Sequence, residues 1–362
     1  MPKIIGLVKY KNLMDDPNIR SSHVKRTPTL GGIAFFYCLV FGLFFLHTLD
    51  KYDEAIYIIP GLTILLVIGL KDDLVVLSPY TKLAAQLVAI AFILSNQSFQ
   101  ILSLNGFLGI QGIPVYLYYL LGGFMMLTVI NAYNLIDGID GLASVVGIVI
   151  LVIYTTIFYL TKEYFYTLIS LTLNGSLIAF LSYNLSSKKK IFMGDTGSLI
   201  VGFMISILTL KFLALSPESY DSLPFLLENV PLIAISILIV PLFDTARVFT
   251  IRVSNKRSPF SPDRNHTHHI LIDSFKLSHK QASFIIGGFN LIFVILMVIL
   301  GSTSYNFYLA LFLISFFIIL AYIFYRFNYS FANIKRRILF KRKVDKIKDD
   351  VFKKKETKSD DR

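Results

Sequence analysis

Apolar runs close to 20 residues long recur along nearly the whole chain, each bounded by a short polar stretch. A helix of that length crosses the hydrocarbon of a bilayer. The pattern predicts about ten transmembrane helices, over residues 30–49, 55–70, 82–96, 114–132, 141–160, 164–184, 197–215, 229–250, 281–301 and 305–326. The expected fold class is an all-α polytopic membrane protein. Residues 99–113, with Gly106, Gly109 and Gly112 leading to Pro114, read as a loop with a short hairpin.

Composition agrees with the pattern. With 55% hydrophobic residues, 16% charged residues and a mean hydropathy of +0.65, the chain is too apolar for a water-soluble fold. Cys38 is the only cysteine, so no intramolecular disulfide forms. Residues 1–11 lack the long apolar core of a cleavable signal peptide. The net charge of +12 would suit a nucleic-acid binder, but its placement argues otherwise. Of the 35 Lys and Arg residues, 31 lie before the first span or after an even-numbered one, whereas the intervening loops hold only Lys51, Lys162 and Lys211. The positive-inside rule then predicts cytoplasmic termini and cytoplasmic even-span loops. The charge thus faces the membrane surface, and no nucleic-acid partner is expected.

Four polar clusters follow even-numbered spans and are therefore expected to face the cytoplasm together. Asp72-Asp73, with Lys82 beyond the Pro79 turn, supplies paired carboxylates that suit Mg²⁺ or a general base, and a cation for a phosphate. Alone, the pair would pass for a topology-setting loop. The stretch Asn131 to Gly141 places Asn131, Asn134, Asp137 and Asp140 three residues apart at the junction of two apolar runs. Residues at i and i+3 share a helical face, but Gly138 and Gly141 are expected to break the helix, so Asp140 need not share that face. Capping would account for any one of these residues but poorly for all four. In Phe192-Met193-Gly194-Asp195-Thr196-Gly197-Ser198, behind Lys188 to Lys190, Asp195 stands where a helix begins, as a simple N-cap or an oxygen ligand. The fourth cluster runs from Asp244 and Arg247 through Asp263-Arg264-Asn265-His266-Thr267-His268-His269. Its histidines and arginines suit a diphosphate better than zinc, since no cysteine is near.

Taken together, these clusters resemble the polyprenyl-phosphate N-acetylhexosamine-1-phosphate transferases, membrane enzymes that move a sugar-1-phosphate from a UDP-sugar to a lipid phosphate. The resemblance spans about residues 15–325 and includes Asp16-Pro17 and Pro28-Thr29-Leu30-Gly31-Gly32. The form Asp263 to His269 is similar to the branch that uses simple UDP-N-acetylhexosamines, and less so to the phospho-MurNAc-pentapeptide branch, where three histidines are consecutive. The resemblance implies that Asp195 and Asn134 hold Mg²⁺, with Mn²⁺ as the alternative. It makes Asp72 the base for the lipid phosphate, with Asp73, Lys82 and Asp195 completing the catalytic set. It places Asn131, Asp137, Asp140 and Phe192 against the nucleotide-sugar, and Arg264, His266, His268 and His269 against its phosphates or sugar.

The implied partners are a UDP-N-acetylhexosamine, most commonly UDP-GlcNAc, together with undecaprenyl phosphate, membrane lipids and a second copy of the chain as a homodimer. The implied location is the bacterial inner membrane, with the site facing the cytoplasm. Direct attack by the lipid phosphate and an aspartyl-phosphate route both remain compatible with these residues. Residues 1–29 form an expected cytoplasmic segment, 30–327 the catalytic membrane domain and 328–362 a basic cytoplasmic tail. Family members carry another helix before the Asp-Pro segment, so the expectation is that the start lies downstream of a first helix. The rival reading is an ion or solute transporter, which places its charges near mid-helix.

Overall fold

In a computed structural model of the chain, the described residues are 1–10, 14–15, 27–46, 52–258 and 266–326. The helices are α1 (Pro2–Tyr10), α2 (Gly32–Leu46), α3 (Tyr52–Leu74), α4 (Pro79–Leu94), α5 (Val115–Ile136), α6 (Leu142–Leu160) and α7 (Tyr164–Asn184). They continue as α8 (Gly194–Leu213), α9 (Val230–Ile237), α10 (Ile239–Ser254), α11 (Thr267–Phe275), α12 (His279–Gly301) and α13 (Asn306–Arg326). The protein is an all-α, multi-pass membrane protein. Among the described residues, seven helices are long and apolar enough to cross a bilayer, or eight if the bent pair α9–α10 is one span. The shorter apolar helices α2 and α4 stand where two further spans were expected.

Local chemistry sets the boundaries that matter for the site. Ser78 caps α4 by accepting from the Thr81 N–H at 3.2 Å, and Pro79 takes the first-turn position that needs no N–H. Ser278 and Gln281 form a reciprocal capping box at the start of α12. The chain turns by 66° between α9 and α10, where sequence alone predicts one continuous span. Pro241 accounts for the break: it has no N–H to donate to the Ile237 carbonyl four residues back. Instead, buried Asn290 on α12 donates its Nδ2 to that carbonyl at 3.4 Å.

At the centre runs α8, enclosed by α2, α3 and α5 and buried over 94% of its most apolar window. It is apolar on every side, as a helix without a solvent face should be. Glycines let its neighbours approach, the usual device where lipid supplies no hydrophobic drive between helices. A Cβ on Gly32 would lie 2.1 Å from the Gly197 nitrogen, and one on Gly69 would lie 2.4 Å from the Thr196 Cα. The loop after α4 contains the expected hairpin, with Ser103 bridged antiparallel to Gly112. The tail from 328 and the Asp16-Pro17 segment lie outside the described residues.

Candidate active site

The C-terminal end of α3, the first turn of α4, the end of α5 and the start of α8 converge at one end of the bundle. Lys82 joins them: its Nζ pairs with Asp72 and lies 2.9 Å from Asp195 Oδ2. Asp72 is itself tied to the α3–α4 turn, accepting from the Leu77 N–H at 2.7 Å. On the far side of Asp195, the Asn134 amide donates to its Oδ1 at 2.7 Å and to Ser198 Oγ at 2.7 Å. Both hydrogen bonds use Nδ2.

Asp73 does something different from its neighbour. Its Oδ1 accepts from the Asp195 N–H at 2.7 Å, and its Oδ2 accepts from the Thr196 N–H at 3.1 Å and hydroxyl at 2.6 Å. The N-terminus of α8 is thus capped by a carboxylate from α3, which satisfies orphan N–H groups and meets the positive end of the helix dipole. Gly194 makes the approach possible, since its φ is +71° and a Cβ there would fall 2.6 Å from Asp73 Oδ2. Asp195 is therefore a first-turn residue rather than the N-cap, a position occupied by Met193. A backbone clamp completes the support: Phe192 N–H donates to the Pro28 carbonyl at 2.8 Å, while Gly31 and Gly32 donate back to the Phe192 and Met193 carbonyls, each at 3.1 Å.

The loop between α5 and α6 contributes two unlike aspartates. Asp137 is half-buried; its N–H donates to the Asn134 carbonyl at 3.3 Å, but its carboxyl group has no hydrogen-bonded partner among the described residues. Burial, then repulsion from Asp195, Asp73 and Asp140, pushes its carboxyl up to about 7. Burial would also raise Asp140, but hydrogen bonds from His279 and Lys190 outweigh it and hold that carboxyl below its ordinary value. Lys190 Nζ lies 2.6 Å from Asp140 Oδ2 and 5.2 Å from the centre of the Phe192 ring. His279 Nδ1 lies 3.3 Å from the same oxygen, and Ser283 Oγ donates to the Asp140 carbonyl at 2.8 Å.

The histidine cluster is built around Asp244, which repeats the arrangement at α8. One oxygen of Asp244 meets His266 Nδ1 at 2.6 Å, and the other accepts from the Thr267 N–H at 2.6 Å, capping α11 from α10. His268 stacks on His266 with ring centres 5.5 Å apart, and His269 lies 4.3 Å from His268. Burial pushes His268 down to about 3, against the pull of Asp244, so its imidazole is neutral at pH 7. Its buried Nε2 abuts Gly138, where a Cβ would fall 2.4 Å away. The cluster thus meets the Asn131–Gly141 stretch directly.

Most of the residues singled out from sequence come together here, with two exceptions. Asn131 points elsewhere, exchanging hydrogen bonds with buried Gln86 of α4 (Nδ2 to Oε1, 2.9 Å) and donating to the Leu127 carbonyl. Its amide therefore serves helix packing. Arg264 lies outside the described residues. His279 and Gln86 were not singled out, because their partners are remote in sequence.

One consequence concerns stability. Asp137 is held protonated in the folded state up to about pH 7 but ionises near 4 when unfolded. Its contribution is thus fully present below about pH 4 and lost by about pH 7. Asp137→Asn should therefore melt higher than wild type at pH 8, and the gap should close towards pH 4. Melting curves in detergent across that range test this.

The chain was compared with known proteins. The family described as glycosyl transferase family 4 matches residues 55–213. A Bacillus subtilis protein named "probable undecaprenyl-phosphate N-acetylglucosaminyl 1-phosphate transferase" is 33% identical over 309 residues, covering 83% of this chain and 80% of the relative. A Mycobacterium tuberculosis decaprenyl-phosphate N-acetylglucosaminephosphotransferase is 30% identical over 301 residues, covering 78% and 72%. The undecaprenyl-phosphate alpha-N-acetylglucosaminyl 1-phosphate transferase of Escherichia coli K12 is 27% identical over 279 residues, covering 74% and 71%.

Proposed function

Because this chain belongs to the polyprenyl-phosphate N-acetylglucosamine-1-phosphate transferases of glycosyl transferase family 4, we propose that it transfers GlcNAc-1-phosphate from UDP-GlcNAc to undecaprenyl phosphate. The products are undecaprenyl-diphospho-GlcNAc and UMP. The bond formed joins the lipid phosphate oxygen to the sugar-bearing phosphorus, and the bond broken releases UMP. The observation that carries this reading is the Asp72–Lys82–Asp195 bridge, anchored by the Asp73 cap on α8.

Each residue has a task that its surroundings support. Lys82 offers a cation, already balanced by two carboxylates, to an incoming phosphate. Asp72 takes the proton of a monoprotonated acceptor. Asp137, Asp140 and Phe192 face the nucleotide-sugar. Asp244 orients His266, and neutral His268 accompanies it near the diphosphate.

The oxygen donors fit Mg²⁺. Asn134 Oδ1 takes no hydrogen bond among the described residues, and Asp137 and Asp195 add carboxylates nearby. Among the described residues no cluster of three or more His, Cys, Asp or Glu forms a metal cage. That suits an ion held by one or two carboxylates, waters and substrate phosphates. Asp195 and Asn134 would hold it, and when bound it supplies charge that offsets the diphosphate.

We place the protein in the bacterial inner membrane with this end facing the cytoplasm, where the nucleotide-sugar and the lipid meet. The transporter alternative is disfavoured because the charged cluster sits at helix ends rather than at mid-span. The test is UMP release from UDP-GlcNAc by purified protein with undecaprenyl phosphate and Mg²⁺. Release dependent on the lipid is expected; none with any UDP-N-acetylhexosamine overturns the reading. Mg²⁺ is also expected to raise the melting temperature of the wild type but not of Asp195→Asn, and an equal rise in both would remove Asp195 from the metal site.

A further inference from the structure

The bridge Lys190–Asp140–His279 joins three segments that are distant in sequence: the loop before α8, the loop between α5 and α6, and the first turn of α12. Asp140 Oδ2 meets two side chains, the Lys190 ammonium at 2.6 Å and the His279 Nδ1 at 3.3 Å. The Asp140 carbonyl is held separately by Ser283, one turn along α12 from His279. All three bridging side chains are only part-exposed, at 27%, 20% and 27% for Lys190, Asp140 and His279, so solvent screens the bridge less than it would a surface pair. Lys190 also lies over the Phe192 ring, whose backbone is fixed by Pro28 and Gly31. At its other end, α12 follows α11 and the histidine cluster. The bridge therefore sets the spacing between the histidine side of the site and the Asp140–Phe192 side.

We propose that His279 and Lys190 are positioning residues for the nucleotide-sugar: acting through Asp140, they fix the two loops whose separation the donor must span. This rests on the transferase reading above. Neither residue touches the Asp72–Lys82–Asp195 group, so the effect belongs to donor affinity rather than to the chemical step.

Steady-state kinetics with UDP-GlcNAc test this. His279→Ala and Lys190→Ala should each raise KM for the donor about tenfold, as expected for one lost charge-assisted hydrogen bond, with little change in kcat. Lys190→Arg keeps a cation on Asp140 and should restore the wild-type KM. In an Asp140→Asn background, His279→Ala should add little, since the two act as a unit. Melting temperatures of all variants identify any that are misfolded, and the Arg variant carries the test should either Ala variant fail to fold. An unchanged donor KM, a loss confined to kcat, or an undiminished His279→Ala effect in the Asp140→Asn background overturns the proposal while leaving the transferase reading intact. A wild type that neither releases UMP nor binds UDP-GlcNAc overturns both.

Discussion

Replacing Asp195 by Asn is expected to lower kcat by about a thousandfold or more, the scale on which preorganised charge at a reacting centre is lost. The fold should survive. Lys82 keeps its pairing with Asp72, the Asp73 cap binds the backbone of residue 195 rather than its side chain, and Ser198 still receives Asn134. The ion pair between Lys82 and Asp195 is lost, but Lys82 still has Asp72 as its counter-charge, and the loss of favourable charge in the first turn of α8 costs about 0.3–1 kcal/mol. The melting temperature should therefore fall by only a few degrees while UMP release vanishes. Parallel collapse of both would mean that Asp195 is chiefly a structural anion.

Gly32→Ala is expected to have the opposite signature, with stability and activity lost together. The added Cβ would lie 2.1 Å from the Gly197 nitrogen and 2.3 Å from its Cα. Both are backbone atoms of α8, so no side chain can rotate out of the way. The first turn of α8 must move, and with it Asp195 and Thr196, each fixed by Asp73. Overpacking of this kind costs about 1–3 kcal/mol or more, and displacing catalytic groups by about 1 Å costs on the order of a hundredfold in rate. Gly175→Ala is the control, since nothing lies within 4 Å of its Cβ position. Melting temperature and UMP release should both fall for Gly32→Ala and stay level for Gly175→Ala.

The helices were legible because a bilayer demands long apolar runs, and each of the ten expected runs coincides with a helix or a bent pair. The break between α9 and α10 was not, although its cause, Pro241, stands in plain view. A proline inside a span is compatible with either a gentle kink or a turn, and the residue that meets the freed Ile237 carbonyl, Asn290, lies on a later helix. At the site, residue type and topology put four polar clusters on one face, the family resemblance grouped Asp72, Lys82, Asn134 and Asp195, and the structure brings those four together. Spacing by threes misled for Asn131, because periodicity gives a face but not what occupies it, and Gln86 was waiting there. The bridging role of His279 was invisible for a related reason: its partner Asp140 is 139 residues away. So was the division of labour between Asp72 and Asp73, adjacent residues that serve a lysine and a helix end respectively.

That helix end has an implication for biogenesis. Asp73 and the backbone it caps are separated by 122 residues. While the nascent chain is being inserted, α3 enters the membrane with a carboxylate whose partner has not yet been made. Water or lipid headgroups must hold Asp73 until α8 arrives, and only then does Asp195 become fixed. The Asp72–Lys82–Asp195 group therefore cannot assemble before α8 has been made, and the Asp244–His266 pair joins the site only when α10 and α11 follow.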